Sequence, residues 1–66
     1  MNISKSLKIA LINKKLRQRD LATKMGVSEQ LISRWAIVGL ISTGNLEKLC
    51  QALDLQVSEF FALGED

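Results

Sequence analysis

The sequence predicts an all-α domain of five short helices, and three observations predict it. Its 66 residues include no proline, and its glycines stand apart at positions 26, 39, 44 and 64. No stretch alternates apolar and polar residues with the period of two that a half-buried strand needs; apolar residues recur instead three and four apart, the spacing that lines one face of a helix. One domain over residues 1–66 is expected. A chain of this length buries only about 60% of the surface its unfolded form exposes, so a dimer interface would add needed stability.

The first helix is expected from about Ser4 to Lys15, with Leu7, Ala10, Leu11 and Ile3 on its inner face. Leu16 then turns inward. The second helix buries Leu21, Ala22 and Met25 and stops at Gly26, a residue suited to the left-handed conformation that ends helices. Val27 plugs the turn. Ser28 is placed to cap a third helix with Ile32 and Trp35 inside and Glu29, Gln30, Ser33 and Arg34 outside. After it comes an unusual run, "AIVGLI", from Ala36 to Ile41. Ile37, Val38 and Leu40 cannot all fit beneath one turn of chain, so at least one should be exposed. Leu46, Leu49, Cys50 and Leu53 form the stripe of a fourth helix, for which Thr43 or Asn45 is the expected cap. Leu55 and Val57 lead to a last short helix, capped by Ser58, that turns Phe60 inward and leaves Phe61 and Leu63 partly available.

Composition removes several functional classes from the expectation. The single cysteine, Cys50, permits no internal disulfide, and the absence of histidine removes both the usual metal-site spacings and the commonest general base. Cys50 reads as a buried thiol filling core space, against the alternative of a reactive group. No nucleophile has an evident activator, so no enzyme activity, metal or cofactor is expected. No apolar run approaches the roughly 18 residues of a membrane span, and lysines interrupt the N-terminal apolar residues where a signal peptide would need them uninterrupted. A cytoplasmic protein without membrane contact is the expectation.

The net charge of +2 hides an asymmetry: residues 1–34 carry eight Lys/Arg against two acids, and residues 35–66 one lysine against five acids. A basic half of this kind suits one face to a polyanion. Within it, "RQRDLATKMGVSEQLISRW", Arg17 to Trp35, sets two short helices about a Gly-Val-Ser turn. This is a helix-turn-helix over about residues 17–36. Ala22 lets the helices cross closely, Gly26 makes the turn, and Leu21, Val27 and Ile32 hold the crossing angle.

The pattern Q-x-x-L-A-x-x-x-G-V-S-x-x-x-I-S-x-W, followed by "LEKLCQALDL", resembles the DNA-binding domain of the lambdoid phage repressors and Cro proteins across roughly residues 5–63. The resemblance implies a compact five-helix lambda-repressor-like domain that regulates transcription in a prokaryotic cell, usually as a homodimer on a near-palindromic double-stranded DNA operator. In such domains the second helix of the motif enters the major groove. Glu29, Gln30 and Arg34 then stand at the family's base-reading positions. Gln30 can pair with adenine, Arg34 with guanine and Glu29 with cytosine N4, while Leu31 can touch a thymine methyl. Two alternatives stay open: Glu29 serving only the helix N-terminus, and Arg34 meeting a phosphate. Gln18 matches the family's phosphate-binding glutamine that braces the recognition helix. Arg17, which replaces the usual Ser or Thr cap, and Arg19, Ser28 and Ser33 complete the expected backbone contacts near the motif.

Relatives commonly pair a glutamate after the recognition helix with an arginine in the first helix; the matching positions are Ala36 and Leu11, so an apolar contact is expected in place of an ion pair. Gly39 stands four residues after Trp35, an arrangement like that of certain phage Cro proteins, and Ile41 is the expected anchor of the loop. No basic residue lies between Arg34 and Lys48, which leaves Ser42, Thr43 and Asn45 as neutral donors to phosphate. Ile37, Val38 and Leu40 are expected to join Val57, Phe61 or Leu63 in a dimer interface, or else to cover the small core. Whether the protein represses, or activates by touching RNA polymerase, is left open by the residues. A different class also fits them: a protein-interaction module, antitoxin-like, using the apolar loop and the C-terminal helix.

Overall fold

The computed structural model describes residues 2–65. They form α1 (Ile3–Lys14), α2 (Gln18–Met25), α3 (Glu29–Val38), α4 (Thr43–Ala52) and α5 (Val57–Leu63), with no strand among the described residues. The all-α, five-helix expectation holds.

Side-chain caps decide where the helices begin, because the first N–H groups of any helix lack partners within it. α1 starts one residue earlier than its periodicity indicates: Asn2 Oδ1 accepts from the Lys5 N–H at 3.0 Å. It also ends one earlier, as Lys15 takes a left-handed conformation at φ 57°. Ser28 caps α3 as expected, its Oγ accepting from the Leu31 N–H at 3.1 Å. α4 requires a correction, since its cap is neither Thr43 nor Asn45. Ser42 holds the extended backbone that precedes the helix, and its Oγ accepts from the Asn45 N–H at 3.2 Å. Thr43 is already helical, and Asn45 supplies the donor. α5 needs a second correction: Ser58 lies inside the first turn. Gln56 is the cap residue, and the Glu59 carboxylate accepts from its N–H at 2.9 Å, the returning half of a capping box that starts the helix at Val57.

One core joins all five helices. Leu7, Ala10 and Leu11 come from α1, Leu21 and Ala22 from α2, Ile32, Trp35 and Ala36 from α3, Leu49, Cys50 and the adjoining Leu53 from α4, and Phe60 from α5. Met25, Leu16, Val27, Ile41 and Leu46 pack against this core while partly exposed. α1 lies against α3 and α5, α2 against α3 and α4, and α4 against α5. Leu11 and Ala36 are both buried and uncharged, so the α1–α3 contact avoids the cost of desolvating an ion pair. The same two helices are tied at their ends, where the Ser4 hydroxyl donates to the Ala36 carbonyl.

Candidate nucleic-acid interface

The interface is built on the α2–α3 crossing. Gly26 closes α2 at φ 70°, and the Val27 N–H returns to the Ala22 carbonyl at 3.0 Å, so the chain reverses within three residues and α3 departs across α2. Burial of Ile32, Trp35 and Ala36 fixes the rotation of α3 about its axis. Glu29, Gln30 and Arg34 are consequently exposed along its outer side, with Ser33 half-buried between them. Leu31 is half-buried and packs partly against the core, presenting only its edge.

Gln18, the first residue of α2, is half-buried in a shallow groove shared with Glu29, Gln30 and Ser33. That groove brings the expected phosphate-binding glutamine to the outer face of α3. Arg17 and Arg19 are exposed beside it. Arg19 Nε lies 4.0 Å from Glu29 Oε2, a long and solvated pair that contributes little stability but links the two helix starts. Arg17 caps α2 without a side-chain bond of the Ser or Thr kind. Asp20 compensates, its carboxylate accepting from the Arg17 N–H at 3.0 Å. The Arg17 guanidinium extends into solvent from a backbone that Asp20 holds.

A second cluster lies where α3 passes into α4. At the open end of α4 Ser42 and Thr43 are exposed and Asn45 is half-buried; Ser42 and Asn45 line a groove that also contains Arg34 and Leu31. Ser28 and Ser42 each accept a capping bond through Oγ, and each hydroxyl keeps a hydrogen to donate to an outside acceptor. Of the residues expected to meet DNA, Gln18, Glu29, Gln30 and Ser33 share one groove and Leu31, Arg34, Ser42 and Asn45 another, whereas Arg17, Arg19, Ser28 and Thr43 are exposed outside both.

Ile37, Val38 and Leu40 are all exposed, at 73%, 54% and 75%. Ile37 and Val38 line a groove with Ser4, Lys5, Lys8 and Ile9 of α1, whereas Leu40 lines the groove of Arg34 and Ser42. Val57, Phe61 and Leu63 are half-buried and pack against the core. The last turn of α5 does approach the first of these grooves, because Gly64 sits against Asn2 and Ser6 of the α1 start. Ile12 is a further exposed apolar side chain, and sequence reasoning gave it no role. Its position opposite the buried Leu7 and Ala10 would have marked it.

Cys50 is buried, and desolvation pushes its thiol pKa up, so it stays protonated and packs as an apolar group. Among the described residues no helix is long and apolar enough to cross a membrane, and no group of His, Cys, Asp or Glu could hold a metal ion.

Five helices, a tight crossing of the second and third, and an exposed polar row on the third define a helix-turn-helix DNA-binding domain. The family comparison agrees: the chain belongs to the Cro/C1-type HTH DNA-binding domain family, which matches residues 6–66. No curated protein matches it. DNA-binding transcription regulation is the class to which the fold and the family assign the protein.

Proposed function

We propose that the protein is a sequence-specific double-stranded DNA-binding regulator of the Cro or small-repressor type, a single domain over residues 1–66 acting as a homodimer on a near-palindromic operator in the prokaryotic cytoplasm. The observation that carries this reading is the exposed row Glu29, Gln30 and Arg34 on α3, with Gln18 alongside. α3 enters the major groove, Gln30 and Arg34 read adenine and guanine edges, Glu29 accepts from cytosine, and the exposed edge of Leu31 meets a thymine methyl. Gln18, Arg17, Arg19, Ser28 and Ser33 hold one stretch of backbone; Ser42, Thr43 and Asn45 hold another. Ile37 and Val38, with the edge of α5 at Val57, Phe61 and Leu63, join the two copies. Bound across a promoter, the dimer excludes polymerase; a touching contact with RNA polymerase would instead make it an activator.

Selection of bound duplexes from random DNA tests this directly. A palindrome with half-sites one helical turn apart is expected, and Gln30→Ala and Arg34→Ala should each cost about 1–3 kcal/mol on the selected site. Equal losses on selected and random DNA would make both residues backbone contacts. The exposed Ile37 and Val38 favour one competing reading, a module that holds a different protein. Failure to enrich any sequence at low salt, together with tight binding to such a partner, would establish that reading in place of the first.

A further inference from the structure

We infer that Leu40 contacts the deoxyribose face of bound DNA and takes no part in self-association, an inference that rests on the DNA-binding reading and extends its interface to an apolar residue. The turn after α3 supplies the first argument. Gly39 adopts φ 76°, its N–H bonded to the Trp35 carbonyl at 3.0 Å, and this left-handed step reverses the chain. Ile37 and Val38, before the reversal, face the start of α1; Leu40, after it, lies across a separate groove. An added Cβ at position 39 would stand 3.5 Å from the Ser4 backbone nitrogen, so the turn is also seated closely on α1. Leu40 is therefore held away from Ile37 and Val38 by the backbone itself.

The composition of that groove supplies the second argument. Leu40 shares it with Leu31, Arg34, Trp35, Ser42 and Asn45, and Arg34 is the one charged residue in its lining. With Arg34 turned to a base edge, the groove continues the base-reading row of α3 outward, and its neutral donors Ser42 and Asn45 beside the exposed leucine complement a sugar-phosphate strand: anionic oxygens for the hydroxyl and the amide, an apolar sugar face for the leucine. A second copy offers no such match, since pairing this groove with itself would bring two Arg34 side chains together. The lack of Lys or Arg between Arg34 and Lys48 makes an apolar contact here all the more consequential.

Leu40→Ser and Leu40→Met, measured on a random-sequence DNA duplex and on the same duplex with uracil replacing thymine, test the assignment. Leu40→Ser should weaken both duplexes by about three- to tenfold, the loss of one apolar contact. Leu40→Met should retain nearly full affinity. The salt slope should stay unchanged, because no phosphate loses its cation. Sedimentation and the thermal midpoint should match the parent protein. Unaltered affinity in Leu40→Ser, or a shift toward monomer, overturns the proposal; a loss that vanishes with uracil also overturns it, by giving Leu40 a thymine methyl in place of the sugar. Failure of the parent protein to bind either duplex overturns the DNA-binding reading itself, and the Leu40 assignment with it.

Discussion

Gly64 illustrates how a single residue can be demanded by distance and not by backbone conformation. Its φ of −89° suits any residue, yet an added Cβ would lie 2.6 Å from the Asn2 carbonyl oxygen and 2.3 Å from Ser6 Oγ. Ser6 can rotate its hydroxyl, but the Asn2 carbonyl is fixed by the Ser6 N–H at 2.9 Å. Gly64→Ala should therefore part α5 from α1 and cost about 1–3 kcal/mol, as overpacking does. Urea unfolding checks this through a lower midpoint, and an unchanged midpoint would mean that α5 yields freely. Cys50 makes a different prediction. Burial raises its thiol pKa above the ordinary 9.0, so the folded state holds that proton more tightly than the unfolded chain does. The associated stability is fully present below pH 9.0 and is lost as pH rises through the folded value. Stability measured from neutral to alkaline pH should fall further in the parent protein than in Cys50→Ala, and parallel curves would show that the thiol ionises without penalty.

At the scale of elements, the interiors of the helices were legible and their starts less so. Stripes such as Leu7, Ala10 and Leu11, or Ile32 and Trp35, follow from a period that burial enforces along many residues, and all of these side chains are buried. A cap depends instead on one residue's backbone: Ser42 competes with Thr43 and Asn45 of similar capping chemistry, and Gln56 takes the place of the better capping residue Ser58 because the Glu59 carboxylate holds its N–H. The exposed row of α3 was likewise legible, because the opposite face is apolar. The separation of Leu40 from Ile37 and Val38 was not, since it depends on the hand of one turn at Gly39. Caps also carry a measurable trade in this fold. Arg17 begins α2 with no side-chain cap bond of its own, and Asp20 supplies the compensating acceptor. Arg17→Ser should gain about 0.5–1 kcal/mol of stability by adding a cap. The same change should weaken DNA binding and make the salt slope less steep, by about 0.9 per lost phosphate contact. A more stable variant with unaltered binding would remove Arg17 from the interface.

For the whole molecule, size, charge and exposed apolar surface combine into one arrangement. Its longest dimension is 29 Å, less than the roughly 34 Å between half-sites one turn apart, so two copies fit side by side on one face of a duplex. The basic residues 1–34 include α2 and the start of α3 through Arg34, and the five acids of residues 35–66 all follow α3, so the exposed row of α3 lies within the basic part of the chain. With about four phosphates neutralised per subunit, a dimer should show a log-log salt slope near −7, and a monomer half of that. The proposed joining of the copies rests on Ile37 and Val38, exposed on the α1–α3 groove. Their groove also holds Lys5 and Lys8, so a carboxylate placed there meets cations within its own subunit and should leave the fold intact. Ile37→Glu is accordingly expected to keep the parent thermal midpoint while shifting sedimentation toward monomer. Operator affinity should then fall steeply and the salt slope should halve, whereas binding to an isolated half-site should change little. A monomeric Ile37→Glu that retains full operator affinity would show that two copies bind independently, and an unshifted dimer would move the interface from α3 to α5.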